Sequence, residues 1–247
     1  MDRWIGKVAV VTGASSGIGA ATVRKLVKAG IIVAGIARRI ERINELTQEL
    51  QDLPGKLHPF KTDITKEDEV VKTFDIIKST LGPIHILVNS AGIVRDTSII
   101  DGEANLWKEV LETNLFGSCI AIRETVRDMK KNNVMGHIVL LNSILGHKIS
   151  YSQDFNVYSS SKFGITALAE VVKKELLALG SEIKVTSISP GAVDTEFSDS
   201  CSSLKAIFSM MPLLKAEEVA DTIMYVLATP SHVQITELLV QHIRETF

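Results

Sequence analysis

Aromatic side chains are scarce in this sequence, at 5% of 247 residues, which leaves little for base-stacking platforms. Charge of one sign is missing too: 27 Lys and Arg stand against 29 Asp and Glu, a formal net charge of −2. That balance removes the electrostatic case for a partner such as nucleic acid or an anionic membrane. Two cysteines, Cys119 and Cys201, exclude a disulfide framework and offer no metal-ligand spacing. His58, His85, His137, His147, His232 and His242 show no paired spacing either, so no metal site is expected. No apolar run approaches the roughly 20 residues of a membrane span. Asp2 occupies what would be the basic region of a secretory signal, and the apolar stretch 8–11 is too short for its core. The final Glu-Thr-Phe matches neither a prenylation box nor a peroxisomal address. A cytoplasmic, reducing location is the expectation.

Apolar residues are plentiful, at 45% of the chain, and the mean hydropathy is +0.20. That surplus belongs to core, interface or pocket. Short β-branched runs at 8–12, 31–37, 57–61, 84–89, 137–142, 183–189 and 233–240 read as strands. Helical periodicity fills the intervals near 17–29, 40–52, 66–80, 103–131, 156–179 and 216–228. Such alternation implies right-handed crossovers and an α/β fold: one doubly wound Rossmann domain with a mainly parallel seven-stranded sheet. Its cofactor half covers about 1–135 and its catalytic half about 136–247, with the ligand crevice at the carboxyl ends of the strands.

The first chemical signal is Thr12-Gly13-Ala14-Ser15-Ser16-Gly17-Ile18-Gly19, between the first strand and the first helix. Gly13 permits the tight turn, and Gly17 and Gly19 permit close approach of backbone to a pyrophosphate at the helix N-terminus. The second is Tyr158 with Lys162, four apart and so on one helix face, about 5–6 Å apart at Cβ. A free tyrosine, with a pKa of about 10, is too weak a base at neutral pH. A neighbouring ammonium favours the phenolate, as would a cationic ring bound beside it, and a shift of about 3 units corresponds to about 4 kcal/mol.

These residues resemble the short-chain dehydrogenases/reductases, and the resemblance spans roughly residues 6–240. Asn89-Ser90-Ala91-Gly92 resembles the family's Asn-Asn-Ala-Gly, with Ser90 a small polar replacement. The resemblance implies that Asn114 anchors a proton-relaying water near Lys162, that Ser143 hydrogen-bonds the substrate oxygen, and that Tyr158 is the general acid/base. Ser143 precedes Tyr158 by a longer interval than in many members. The extra residues fall in the loop 147–156, where Ser150 is the alternative to Ser143. The resemblance also implies that Asn89, Ala91, Gly92, Pro190, Gly191, Val193 and Thr195 line the cofactor site. Asp63 and Ile64 match the pair that touches adenine. The long helices 103–131 and 156–179 pair across a twofold in the family, which implies a homodimer or homotetramer.

An NAD enzyme needs an acid at the end of the second strand for the ribose hydroxyls. Ala37, Arg38 and Arg39 stand there instead. A guanidinium binds a 2′-phosphate bidentately, so NADP(H) is the expected cofactor, with Arg38 the main anchor and Arg39 secondary. After Thr195, the segment 204–214 gathers Leu204, Ile207, Phe208, Met210, Met211, Leu213 and Leu214 with only Lys205 as a cation. It reads as an adaptable lid over a lipophilic substrate. The Asp-Arg-Trp start, the Ala-Arg-Arg turn and the Gly-His after Ser143 resemble a narrower branch. That branch holds insect farnesol-dehydrogenase-like and vertebrate dehydrogenase/reductase member 11-like proteins, implying oxidation of farnesol to farnesal. Two other readings compete: a broad carbonyl or steroid reductase, and a non-catalytic NADPH-binding scaffold. The intact Ser143, Tyr158 and Lys162 set speaks against the scaffold.

If Arg38 grips a 2′-phosphate, Arg38→Asp should shift the NADPH/NADH ratio of kcat/KM towards NADH by about 10- to 100-fold, the worth of a charge-assisted hydrogen bond. An unchanged ratio removes Arg38 from the assignment.

Overall fold

Every residue of Val8–Thr12 (β1) is buried, and successive side chains leave a strand in opposite directions. Ala9 and Val11 therefore enter one core, and Val8 and Val10 the other. A strand of that kind belongs at the centre of a sheet covered on both sides. The computed structural model, which describes residues 1–149 and 156–245, contains that sheet. Beside β1 stand Ile32–Ala37 (β2), Lys56–Lys61 (β3), Ile84–Asn89 (β4), His137–Leu141 (β5) and Lys184–Pro190 (β6). Two short strands, Val193–Asp194 (β7) and Leu214–Lys215 (β8), pair with each other outside it, and Glu237–Val240 (β9) completes the large sheet. Its order is β3-β2-β1-β4-β5-β6-β9, parallel throughout.

The helices are Gly17–Lys28 (α1), Ile40–Glu49 (α2), Glu67–Leu81 (α3), Ala104–Leu111 (α4), Gly117–Lys131 (α5), Asn156–Ala178 (α6), Ser202–Phe208 (α7) and Ala216–Ala228 (α8). Leu26, Ile43 and Ile223 bring α1, α2 and α8 to one face of the sheet. Phe74, Ile120 and Ile165 bring α3, α5 and α6 to the other. The result is the expected single doubly wound Rossmann domain. Since the connection from β1 runs to β2 on one side and that from the adjacent β4 runs to β5 on the other, the two leave neighbouring strand ends in opposite directions, and a crevice opens there. Among the described residues no helix is long and apolar enough to cross a membrane.

Two expected elements differ. The helix expected over 103–131 is interrupted by a π-helical turn at Glu112–Phe116. Within that turn Asn114 points sideways, accepting from the Ile93 amide at 2.8 Å and donating to the Ile93 carbonyl at 3.0 Å. A wider turn is a common device for aiming a side chain at a functional site. The last strand begins at Glu237, not at 233. The backbone before it is engaged by side chains of β6: Lys184 Nζ donates to the Val233 carbonyl and Thr186 Oγ1 to the Ile235 carbonyl.

His137, at the start of β5, is fully buried, with Nε2 on Thr186 Oγ1 at 2.8 Å. Burial pushes its pKa down to about 3, with the Lys184 and Arg3 charges acting in the same direction. The unfolded chain takes up that proton near pH 6.5 and the folded chain does not, so acid favours unfolding. Stability should fall from about pH 6.5 towards pH 3, with His137 contributing up to about 1.4 kcal/mol per unit. Urea midpoints across that range should show a shallower fall for His137→Leu; an equal slope would refute the assignment.

Candidate active site

The glycine turn opens α1 onto the crevice. Gly17 holds φ at +52°, in the left-handed region that side chains resist. A Cβ on Gly19 would lie 2.2 Å from the Gly13 carbonyl oxygen, so only glycine lets helix and strand approach there. The amides of the first turn of α1 consequently face open space.

Where β1 and β4 part, the amides of Ser90 and Ala91 lose their ladder partners. Thr12 Oγ1 takes both, at 3.0 and 3.1 Å, and donates to Asn89 Oδ1 at 2.9 Å. Asn89 Nδ2 donates to Ser118 Oγ at 2.6 Å, and Ser118 donates to the Asn114 carbonyl at 2.6 Å. Asn114 Nδ2 also donates to Ser161 Oγ at 3.0 Å, and Ser161 donates to the Tyr158 carbonyl at 2.6 Å. One buried line of side chains thus joins the glycine turn to α6.

Ser143 follows β5 directly and caps the short turn Ile144–Gly146, its Oγ accepting from the Leu145 amide at 3.1 Å. Its hydroxyl also hydrogen-bonds the side chain of Tyr158. Lys162 Nζ lies 5.7 Å from the centre of the Tyr158 ring and donates to the Leu141 carbonyl at 2.8 Å. Burial lowers Lys162 to about 8. It raises Tyr158 well above the ordinary phenol range, with only the Ser143 hydrogen bond opposing. In the protein alone, desolvation by burial sets the direction of the phenol's shift.

A cleft of about 470 Å³ runs over these groups. Gly13, Ser15, Ser16, Gly17, Ile18 and Gly19 line one stretch, and Arg38, Arg39, Asp63 and Ile64 another. Ala91, Gly92, Ser143, Tyr158, Lys162, Pro190, Gly191, Val193 and Thr195 complete the expected wall. Asn89 and Asn114 are not in it: both are buried, with their side chains committed to the polar line. Their side chains hold strand ends and α6 in place, and the Asn114 amide lies beside the same glycine, Gly92, as the Lys162 ammonium. Arg38 is exposed, with no partner among the described residues, whereas Arg39 bonds Ser16 Oγ at 2.7 Å and Glu196 at 3.0 Å. Asp63 accepts from the amide and hydroxyl of Thr65 at 3.0 and 2.8 Å, which fixes the turn after β3.

The lid reading of 204–214 is corrected in part. Leu204 and Phe208 face the cleft, and Ile207 packs against the cluster holding Val94, Leu145 and Tyr158. Met210 is 80% exposed, and neither methionine lines the cleft. Leu214 turns instead into the sheet core. Phe197, which carried no sequence signal, supplies the apolar wall, 5.5 Å from Tyr158 between ring centres. Arg95 was also missed; it lines the cleft and pairs with Glu109 at 2.8 Å. Ser150 lies outside the described residues. Among those residues no group of His, Cys, Asp and Glu is placed to hold a metal ion.

The cleft fits a nicotinamide dinucleotide on its own geometry: a glycine cradle at a helix N-terminus, basic side chains at one end, and a buried phenol and ammonium at the other. Comparison with known proteins agrees. The short chain dehydrogenase family model matches residues 7–205. Farnesol dehydrogenase of Aedes aegypti is 43% identical over 249 residues, covering 100% of both chains. Human dehydrogenase/reductase SDR family member 11 is 37% identical, covering 96% of this chain and 95% of that one. An alcohol dehydrogenase from Thermococcus sibiricus, complexed with 5-hydroxy-NADP, superposes with a TM-score of 0.84 at 25% identity, covering 97% and 98% of the two chains. The chain belongs to the short-chain dehydrogenase/reductase family of nicotinamide-dependent oxidoreductases.

Proposed function

We propose that the chain is an NADP(H)-dependent oxidoreductase that interconverts a lipophilic alcohol and its aldehyde or ketone, farnesol and farnesal being the first pair to test. The observation that carries this reading is the polarity of the cleft. Ser143, Tyr158 and Lys162 sit at an end walled by Leu145, Phe197, Leu204 and Phe208, while Arg38 and Arg39 stand at the other. The identity to an insect farnesol dehydrogenase supports the substrate class. The unpaired Arg38 and the absence of an acid beside Ala37 support NADP(H).

When bound, the cofactor accepts or delivers the hydride. Ser143 and Tyr158 hold the substrate oxygen between two hydroxyls, and Tyr158 Oη takes or gives its proton. Lys162, with no carboxylate partner among the described residues, stabilises the phenolate left when Tyr158 donates. Asn114 acts as a positioning residue, tying Ile93 to Ser161 and so to the backbone of Tyr158. The apolar walls exclude water from the reacting carbon. Leu111, Phe116, Phe163 and Val171 are exposed along α4 to α6, which supports a homodimer or homotetramer.

The same groups serve both directions, and in carbonyl reduction Tyr158 is the proton donor. Burial keeps the Tyr158 phenol protonated through neutral pH, which suits a proton donor. Carbonyl reduction should therefore hold its rate from about pH 6 to 7.5 and decline as the Lys162 ammonium is lost near pH 8. A reduction rate that collapses below pH 7 contradicts this assignment.

An NADP+-coupled screen of lipophilic alcohols, farnesol and steroids included, tests the substrate class. Tyr158→Phe should lower kcat by about 10²- to 10⁴-fold with NADPH binding retained. Wild-type protein that binds NADPH yet turns over nothing in the panel would instead support the scaffold reading.

A further inference from the structure

The two carboxylates that line the cleft are differently placed. Asp63 is engaged within its own turn, through Thr65. Glu196 reaches across the mouth from the segment after β7, where Thr195 caps the turn Glu196–Ser200. Its Oε2 accepts from Arg39 Nη1 at 3.0 Å and from Arg42 Nη1 at 2.5 Å, and its Oε1 accepts from Arg42 at 2.6 Å. Arg39 Nη2 continues to Ser16 Oγ at 2.7 Å, at the start of α1. Two guanidiniums thus converge on one carboxylate at the end of the cleft where Arg38 stands, and that carboxylate comes from 157 positions beyond Arg39.

We propose that Glu196 tunes cofactor specificity: its carboxylate occupies Arg39, one of the two arginines that would otherwise take the 2′-phosphate, with Arg42 holding it there. This rests on the NADP(H) reading of Arg38 and Arg39. A 2′-phosphate must either displace Glu196 from Arg39 or share the guanidinium with it, and both carry negative charge. The exchange is feasible because all three side chains are about half exposed, where ion pairs are weak and water replaces a lost partner. Glu196 thereby lowers affinity for the phosphorylated cofactor selectively. It leaves adenosine without a 2′-phosphate almost unaffected.

Titration calorimetry with adenosine 2′,5′-bisphosphate and with 5′-AMP isolates this effect from turnover. Glu196→Gln should tighten the bisphosphate by about three- to tenfold, the scale of an exposed charge pair, and leave 5′-AMP within about twofold. Glu196→Ser, as a second variant, should do the same. The gain should vanish in an Arg39→Gln background, because the two side chains act through one contact. Equal effects on both ligands, or a bisphosphate affinity that is unchanged or weaker, overturn the proposal alone. A wild type that binds 5′-AMP as tightly as the bisphosphate overturns the arginine reading, and this inference with it.

Discussion

The structure depends on satisfying the backbone at one place, the point where β1 and β4 stop pairing. Parallel strands that part there leave amides without ladder partners, and a buried unpaired amide costs about 1–3 kcal/mol. Thr12 Oγ1 meets the amides of Ser90 and Ala91, and Asn89, Ser118, Asn114 and Ser161 carry the hydrogen bonding on to the Tyr158 carbonyl. Each member is buried, so loss of one leaves its neighbours unsatisfied in a low-dielectric interior. The same bonds that close this requirement tie the strand ends beside the glycine turn to α6, which carries Tyr158 and Lys162. Fold stability and the geometry of the candidate site share one set of contacts.

Electrostatics divides the cleft along its length. The end near Arg38, Arg39 and Arg42 is wet and cationic, with Glu196 as the competing anion. The other end is dry, and burial shifts Tyr158 and Lys162 in opposite directions, each towards its neutral form. Among the described residues the Lys162 ammonium is supported by the Leu141 carbonyl and no carboxylate, so its charge is not neutralised by an ion pair. Binding strength at the wet end depends on salt and neighbouring charge, whereas proton transfer at the dry end depends on what enters and excludes water.

Local backbone demands were legible in the chain. The spacing of Gly13, Gly17 and Gly19, the helix-face pairing of Tyr158 with Lys162, and the two-sided apolar strands each follow from a few adjacent residues. So does the basic turn after β2. Side-chain destination was less legible. The roles of Asn89 and Asn114 came from the family resemblance, and their commitment to Ser118, Ile93 and Ser161 could be seen only in the fold. Met210 and Met211 read as a pocket wall because of hydrophobicity, yet the wall comes from Phe197, Leu204 and Phe208.

By itself, then, the sequence determined the layered α/β architecture and the family, because each is encoded by periodicity or short spacing. Only the tertiary structure decided three further matters. It set the direction of the Tyr158 shift, since desolvation depends on everything packed around the phenol. It interrupted the helix at Glu112–Phe116, since Asn114 must reach Ile93 in another segment. It brought Glu196 to Arg39 across 157 positions, because only the folded crevice places the end of β2 beside the loop that follows β7.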